Sequence, residues 1–383
     1  MAIDNKDKKV LNVPHLRFPE FSGEWDSFKL VELGKFIGGG TPSSSNLSFW
    51  TGSIPWISSS DIKEDNINNI SISRYITEDA IEKSATKYCP APVILIVSRV
   101  GVGKVALSHT SLCTSQDFCN IIDIKCHPVF LSYNLLRTMK RKSREVQGTS
   151  IKGITSDELQ KIRVFIPKNK DEQNKISNLL TLLDERIVTQ NKIIDKLQSL
   201  IKGISNKIFA TIQGIEYRMG NIVTISNGNS NVQDAVTESK DGLYPFFDRS
   251  EDIKYLPTFL FDKEAIIYPG EGAEFMPRYF RGKFALHQRC YAIFDFKEII
   301  NAQFLYFYLK TQNSYFVRNA VGSTVPSLRL DTFQKLKVII PPKKIQHSVS
   351  LCLSSMEQKC NVEKDILQKL LKQKQYLLRQ MFI

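Results

Sequence analysis

The stretch FLSYNLLRTMKRKSREVQGTSIKGITSDELQKIRVFIP at 130–167 returns without a gap as FLYFYLKTQNSYFVRNAVGSTVPSLRLDTFQKLKVIIP at 304–341. Eleven of the 38 aligned positions are identical, including the closing Pro167 and Pro341. A copy that returns after 174 residues is too widely spaced for a solenoid repeat. The sequence therefore predicts two copies of a whole domain within one chain.

Each copy continues into a long segment without proline, in which apolar residues recur mainly in steps of four and three. This spacing is typical of a coiled-coil helix and predicts helices over about 171–209 and 349–381. Polar side chains at Gln190, Glu363 and Lys374 interrupt the two stripes. Because each stripe alone would stay exposed, we expect the two helices to pack on each other. The stripe residues are Ile176, Leu180, Leu183, Ile187, Ile194, Leu197, Ile201 and Ile204 in the first helix and Leu353, Met356, Leu367, Leu370 and Leu377 in the second.

The segments upstream of each copy read as mixed helix and strand. The β-branched runs at 93–97 and 120–124 predict buried strands, and the first is followed by a glycine loop, as is its counterpart at 265–268. The predicted organisation is an N-terminal arm over 1–24, a first domain over 25–168, a central long helix over 169–212, a second domain over 213–342 and a C-terminal long helix over 343–383.

The chain is basic: 52 Lys and Arg against 39 Asp and Glu give a net charge of +13 and a pI near 9.3. Such a surface favours polyanionic partners, because each neutralised phosphate releases counterions. The longest apolar run, 93–97, is too short to span a bilayer, and the charged N-terminus does not resemble a signal peptide. Seven irregularly spaced cysteines indicate reduced thiols. These features predict a cytoplasmic protein without a membrane segment.

No catalytic motif is recognisable. VGVGK at 100–104 lacks the Walker spacing, no glycine fingerprint for a nucleotide follows a strand, and the Asn/Asp-Pro-Pro-aromatic motif of amino-methyltransferases does not occur. Carboxylates are scattered rather than clustered for Mg²⁺, and the five histidines have no metal-ligand spacing. We therefore expect neither a catalytic residue nor a metal site nor a cofactor in this chain.

Polar and basic side chains beside glycine turns are the candidate DNA contacts, because Gln and Arg pair with base edges while helical cations suit phosphate. A charged helix face is also commonly just solvated, and Gln116 is also of the type that caps a buried turn. The candidates for base or groove contacts are Gly39, Gly40, Thr41, Arg99, Lys104, Gln116, Arg278, Arg281, Lys283, Gln288, Arg289, Ser323 and Thr324. The candidates for phosphate contacts are Lys140, Arg141, Lys142, Arg144, Lys152 and Arg329.

Over nearly its whole length the chain resembles the specificity (S) subunits of Type I restriction-modification systems. One departure lies in the second copy, where IQH at 345–347 replaces EQN at 172–174, so we expect that turn to be capped differently. The motifs that carry the resemblance, in this order, are LRFPEF at 16–21, GEW at 23–25, GGTP at 39–42, IPWIS at 54–58, GTSI at 148–151 and IP at 166–167 followed by EQ at 172–173.

The resemblance implies an α+β fold of two pseudo-symmetric mixed α/β target-recognition domains separated by two long antiparallel coiled-coil helices. Each domain would read one half of a bipartite, asymmetric site in double-stranded DNA, and the helix pair would set the spacer and dock two methyltransferase (modification) subunits. Restriction subunits would complete the complex. Adenosylmethionine, ATP and Mg²⁺ would then belong to those partners.

Two other classes of function stay open on the sequence alone. One is a scaffold that binds nucleic acid without sequence preference, and the other is a fragment of a fused methyltransferase-nuclease. Competition between a specific duplex and random DNA distinguishes the first, and methyl transfer by the isolated chain distinguishes the second.

Overall fold

The computed structural model describes residues 11–146 and 153–383, with only the backbone of Glu145 and Val146. The candidate phosphate contact Lys152, the GTSI motif up to residue 151 and the first ten residues of the arm lie outside the described residues. The chain divides into two compact units, Met1–Gln190 with Ile366–Ile383, and Asn191–Asp365.

The described residues of the first unit form three sheets. The order β2-β9-β6-β7 forms an antiparallel sheet, β4-β3-β8-β5 forms a second with a parallel β3–β8 pair, and β1 pairs with β10. Its strands are β1 (Asp26–Lys29), β2 (Lys35–Gly38), β3 (Ile54–Ile57), β4 (Arg74–Ile76), β5 (Tyr88–Cys89), β6 (Val93–Val97), β7 (Val105–Ser108), β8 (Leu112–Thr114), β9 (Phe118–Ile122) and β10 (Arg163–Ile166). Its own helices are α1 (Leu30–Leu33), α2 (Glu78–Glu82), α3 (Pro128–Val146) and α4 (Ser156–Lys161).

The long helix α5 (Lys170–Thr211) then passes from the first unit into the second. In the second unit β11 pairs with β18, and the other strands form one six-stranded sheet, β12-β17-β15-β16-β13-β14. Its strands are β11 (Ile215–Arg218), β12 (Thr224–Asn227), β13 (Tyr244–Phe247), β14 (Lys254–Leu256), β15 (Phe261–Pro269), β16 (Arg278–Leu286), β17 (Cys290–Phe294) and β18 (Lys337–Ile340). The remaining helices are α6 (Ala302–Lys310), α7 (Asn313–Asn319), α8 (Leu330–Lys335) and the last long helix α9 (Lys343–Gln380).

The duplication predicted from the sequence is visible in the sheets. The trio β2-β9-β6 corresponds to β12-β17-β15, and the pair β1–β10 corresponds to β11–β18. The single nine-residue strand β16 takes the place of the two short strands β7 and β8, so one six-stranded sheet replaces two four-stranded ones. The predicted strand at 93–97 is confirmed and fully buried, whereas β9 ends at Ile122 because Asp123 adopts a positive φ of 51°.

The two long helices pack antiparallel, as predicted. In the first unit, Ile176 and Leu180 of α5 share a core cluster with Met381, while Leu183 and Ile187 farther along α5 pack with Leu370 of α9. In the second unit, the last turns of α5 pack into the domain core with the first turns of α9. None of the predicted stripe residues is exposed: Ile176, Leu180, Leu183, Ile187, Ile194, Leu353 and Leu370 are buried, and Leu197, Ile201, Ile204, Met356, Leu367 and Leu377 are half-buried.

Lys374 interrupts the second apolar stripe, and its charge is paired inside the first unit. Lys374 is only 3% exposed because its ammonium pairs with the buried carboxylate of Asp184 on α5 and donates to the carbonyl of Asp65. The hydroxyl of Tyr133 donates to the same carboxylate over 2.9 Å. A buried charge is tolerable only when it is paired and hydrogen-bonded, and both conditions hold here.

A glutamine makes the same hydrogen bonds at the joint between domain and long helix in both units. Gln173 donates to Pro167 O over 2.9 Å and accepts from the backbone N–H of His127 over 2.9 Å. Gln346 donates to Pro341 O over 2.8 Å and accepts from the backbone N–H of Asn301 over 2.8 Å. The helix caps themselves differ, as expected: the Asn169 side chain accepts from the backbone N–H of Asp171 over 2.8 Å at the start of α5, whereas Pro342, which has no side-chain acceptor, precedes α9.

Glu172, which corresponds to Ile345 in the second copy, holds the N-terminal arm in place. Arg17 donates to its carboxylate over 2.7 and 2.8 Å, and the indole of Trp25 donates over 3.2 Å. Trp25 is 1% exposed and packs edge-on against Phe130 and Phe382. The described part of the arm, 11–24, is therefore held against the first unit. Among the described residues, no helix is both long enough and apolar enough to cross a bilayer.

Candidate nucleic-acid interface

In the first unit, three loops meet at one edge of the β2-β9-β6 trio. β2 and β6 end at the edge where β9 begins, because the neighbouring strands are antiparallel. The loops are joined by backbone hydrogen bonds, from Gly40 N to Thr114 O over 2.8 Å and from Ser98 N to Asp117 O over 2.8 Å. The sequence candidates around Gly40, Arg99 and Gln116 are therefore neighbours.

Gln116 lies at the tip of one of these loops, exposed to solvent. Thr41 from the loop after β2 donates its hydroxyl hydrogen bond to the Gln116 side-chain oxygen, so the amide is oriented by a second loop. Gly39 and Gly40 allow this approach, since a Cβ at Gly39 would collide with the Thr114–Ser115 backbone and one at Gly40 with the Ala85 carbonyl. The alternative role of Gln116, capping a buried turn, does not fit an exposed side chain.

Neighbouring side chains absent from the candidate set complete this edge. The Trp56 indole donates to Gly40 O over 3.0 Å, and the Arg74 guanidinium lies 4.5 Å from the Trp56 ring centre. Arg74 also pairs with Asp61. Trp56 belongs to the IPWIS motif at 54–58, which did not by itself predict Trp56 as a contact residue. Lys104 is half-buried and donates to Ser59 O over 3.1 Å, whereas Arg99 is exposed.

The second unit repeats the arrangement with β12, β17 and β15. Gly228 N donates to Cys290 O over 3.3 Å, Gln288 N donates to Ser230 O over 3.1 Å, and Leu328 N donates to Gly270 O over 2.8 Å. Ser323 and Thr324 are exposed in the adjoining loop over 321–327, which Gly272 N joins through Pro326 O over 3.0 Å. The candidates Gln288, Arg289, Ser323 and Thr324 thus belong to loops that are hydrogen-bonded into one edge.

Arg289 is the prominent charge at this edge. Its Nη1 donates to Glu271 Oε1 over 2.7 Å, and its backbone N–H donates to His287 Nδ1 over 3.2 Å. Burial lowers the pKa of His287 below its ordinary value, so Nδ1 is available as an acceptor at neutral pH. Glu271 was not a sequence candidate, although the glycine loop PGEG at 269–272 contains it.

The three basic candidates on β16 have different surroundings. Arg278 is half-buried and donates to the carbonyl oxygens of Asp248, over 3.4 Å, and Ser250. The Lys283 ammonium lies 4.9 Å from the Phe259 ring centre, and Arg281 is exposed. Arg278 therefore has an internal structural role, while Arg281 and Lys283 face outward on the same side of the strand.

The basic end of α3 forms a separate cluster. Lys140 pairs with Asp65 over 2.7 Å, Arg141 and Arg144 are exposed, and Lys142 is half-buried. Together with Arg379 of α9, Lys140, Arg141 and Arg144 line one cavity. The exposed Arg329 stands just before α8 in the second unit.

Metal or thiol chemistry finds no support among the residues that the structure describes. No group of three or more His, Cys, Asp or Glu side chains there is placed to hold a metal ion. Burial raises the pKa of Cys89 to about 11 and of Cys113 and Cys126 to about 12, so these thiols are protonated at neutral pH. All seven cysteines are free thiols.

Comparisons with a family model and with individual proteins identify the same family. The model of the Type I restriction modification DNA specificity domain matches residues 22–199 and again residues 215–372. The MjaIX specificity subunit of Methanocaldococcus jannaschii is 27% identical over 395 residues, which cover 90% of this chain and 89% of the relative. The EcoR124I/EcoR124II specificity subunit of Escherichia coli is 34% identical over 177 residues, 44% of this chain and 43% of the relative.

Two solved structures share the fold. The crystal structure of a Type I S subunit from M. genitalium matches with a TM-score of 0.66 at 19% identity, covering 97% of this chain and 99% of that one. A chain from a structural study of complex assembly and conformational transition in the type I R-M system matches with a TM-score of 0.57 at 13% identity, covering 92% and 96%.

Proposed function

This chain belongs to the family of Type I restriction modification DNA specificity proteins, and on that premise we propose how it recognises DNA. It is a non-catalytic specificity subunit with two target-recognition domains. We propose that the domain over 25–168 reads one half of a bipartite, asymmetric site and the domain over 213–342 reads the other half. The base contacts come from the loop edges that contain Gln116 and Arg289.

One observation carries this proposal. Each unit gathers three loops at one edge of an equivalent strand trio, and each edge exposes a side chain of a type that pairs with bases. In each case a residue of another loop orients that side chain, Thr41 for Gln116 and Glu271 for Arg289. Preoriented donors and acceptors are what discrimination between base edges requires, whereas a purely electrostatic binder needs only charge.

Contacts to phosphate are assigned to the exposed cations outside these edges. Arg141 and Arg144 at the end of α3 are the strongest candidates in the first unit, and Arg281, Lys283 and Arg329 are the candidates in the second. Lys104, Lys140 and Arg278 already donate to oxygen atoms of this chain, so we give them a supporting role. Phosphate contacts position the protein without selecting sequence.

The helix pair is proposed to set the unread spacer and to dock two modification subunits, which restriction subunits join. Both long helices also expose apolar side chains to solvent, such as Leu182 at 64%, Leu200 at 53% and Leu351 at 61%. Exposed apolar side chains on a long helix favour a protein partner. Adenosylmethionine, ATP and Mg²⁺ would be bound by those partners, and the assembly would act on DNA in the bacterial cytoplasm.

Exchange of residues 25–147 for the matching segment of a relative tests this function. Sequencing of methylated DNA from cells that contain the chimera and the modification subunits should show a new first half-site and an unchanged second half-site. The parent chain is the matched control. Loss of preference in both halves would show that the domains do not read independently. A complex that binds a chosen duplex no better than random DNA would favour the unspecific scaffold instead.

A further inference from the structure

Arg289 in the second unit combines exposure with a fixed orientation. Its side chain is 63% exposed, whereas that of its partner Glu271 is only 17% exposed. Two hydrogen bonds join the turn that carries Arg289 to the segment at the end of β12. Gln288 N donates to Ser230 O, and Asn227 Nδ2 donates to Gln288 O over 3.3 Å. Gly270 lies so close that a Cβ there would collide with Arg289 O.

The carboxylate of Glu271 occupies one side of the guanidinium and leaves another side free. Glu271 Oε1 accepts from Nη1, and among the described residues no group accepts from Nε or Nη2. Nε and Nη2 lie on the same edge of the planar group and donate in parallel. A parallel pair of donors matches two adjacent acceptors.

The charges decide which pair of acceptors fits. Because Glu271 compensates the positive charge of Arg289 at 2.7 Å, the pair as a whole attracts a phosphate weakly. The free donors keep their direction and suit a neutral acceptor pair. In the major groove, guanine presents such a pair in O6 and N7.

The first unit lacks this device at the equivalent place. Ser115-Gln116-Asp117 there corresponds to His287-Gln288-Arg289, so an acceptor, Asp117, stands where Arg289 donates. The Asp117 carboxylate accepts from the Ser115 hydroxyl over 3.2 Å. At this position the second edge therefore presents a hydrogen-bond donor and the first edge presents an acceptor.

We infer that Arg289 reads a guanine in the half-site bound by the second domain, and that Glu271 is the positioning residue that directs the guanidinium. This inference rests on the proposed function and adds a base identity to it. It assigns a G·C pair to one position of the second half-site. It makes no such assignment for the first half-site, because the described residues of the first domain contain no equivalent of the Arg289–Glu271 pair.

The test uses the full chain assembled with its modification subunits and a pool of duplexes randomised in both half-sites. Arg289→Lys keeps the charge and removes the parallel donors. It should lower the preference for guanine at one position of the second half by roughly 5- to 150-fold. The first half-site should be selected as before, which also shows that the variant is folded. Arg218→Lys, an exposed arginine on β11 outside the three loops, is the matched control.

Glu271→Gln separates positioning from charge. It should relax the same guanine position while raising affinity for random DNA and steepening the salt dependence, because one negative charge is lost. If Arg289→Lys leaves every position unchanged, or weakens all duplexes equally, the guanine assignment is overturned and the bipartite reading stands. If the unaltered complex selects no two-part site, the proposed function fails and the inference fails with it.

Discussion

Gln173 in the first unit and Gln346 in the second occupy equivalent positions. Each donates to a proline carbonyl and accepts from the backbone N–H of the residue just before a domain helix, α3 in the first unit and α6 in the second. Ser177 and Ser350 repeat this one turn later, each donating to the carbonyl of its glutamine over 2.7 Å. Gln173 is 5% exposed and Gln346 is 0% exposed. A change at either position would leave buried polar groups without partners.

The loop edges of the two units are built differently. Thr41 orients Gln116 in one, and Glu271 orients Arg289 in the other. Thr41, Gln116 and Arg289 are exposed and Glu271 is half-buried, so an exchange at these edges leaves no fully buried group without a partner. One buried joint thus holds two different outward surfaces, as the proposed reading of two unlike half-sites requires.

An acid on each long helix adds a second contrast. Asp184 on α5 and Glu357 on α9 are equivalent in the aligned copies. Asp184 pairs with Lys374 of the other long helix, and Glu357 pairs with Lys310 of its own domain. The first pair is almost fully buried and the second is about a quarter exposed. The same position therefore joins two helices in one unit and a helix to its domain in the other.

The largest expected effect separates these two ion pairs. Lys374→Met leaves the Asp184 carboxylate buried without its cation and should lower the free energy of unfolding by about 3–5 kcal/mol. Lys310→Met, the matched control, should cost less than about 1 kcal/mol, because solvent screens the Glu357 carboxylate. Urea denaturation measures both. Equal losses would contradict the distinction, and the double change Asp184→Leu with Lys374→Met should recover most of the first loss.

The next effect tests whether the joints are equivalent. Gln173→Leu and Gln346→Leu should each lower the free energy of unfolding by about 2–4 kcal/mol, because each leaves a buried N–H and a buried carbonyl unpaired. The exposed neighbours Asn174→Ala and His347→Ala are controls that should change stability little. A loss in only one of the two leucine variants would break the equivalence of the joints.

A smaller effect is expected at the loop edges. Gln116→Ala should lower discrimination by about 1–3 kcal/mol at the first half-site only, and Gln288→Ala should do so at the second half-site only. Binding to random DNA should stay nearly unchanged in both variants. Competition of the cognate duplex against duplexes altered in one half measures this. A variant that relaxes both half-sites would refute separate reading.

The smallest effect is expected at the end of α3. Arg141→Gln with Arg144→Gln should weaken cognate and random DNA alike and lower the slope of log affinity against log salt by about 0.9 for each lost phosphate contact. Lys140→Gln is a useful contrast, because Asp65 already pairs with that ammonium. Loss of cognate binding alone would mean that positioning and reading were assigned to the wrong residues.

Features that depend on local pattern can be read from the amino-acid sequence alone. The gapless copies at 130–167 and 304–341, the spacing of Ile176 to Leu377 along two stripes and the β-branched run Val93–Val97 each predicted an element that the structure contains. Hydrophobic period and backbone sterics act over a few residues, so they can be read from one chain. The same logic located the glycine loops and brought Gln116 and Arg289 into consideration.

Which side chains share a site depends on the folded arrangement of distant segments. Lys374 and Asp184 are 190 residues apart, and Glu271 meets Arg289 only because β15 and β17 are neighbours in the sheet. For the same reason the sequence did not show that Lys140 pairs with Asp65 or that Arg278 donates to the carbonyl oxygen of Ser250. The energy of an ion pair depends on distance and burial, and neither quantity is set by local sequence. The apolar period thus predicted the two long helices, whereas the ion-pair partners of their charged side chains depend on the folded structure.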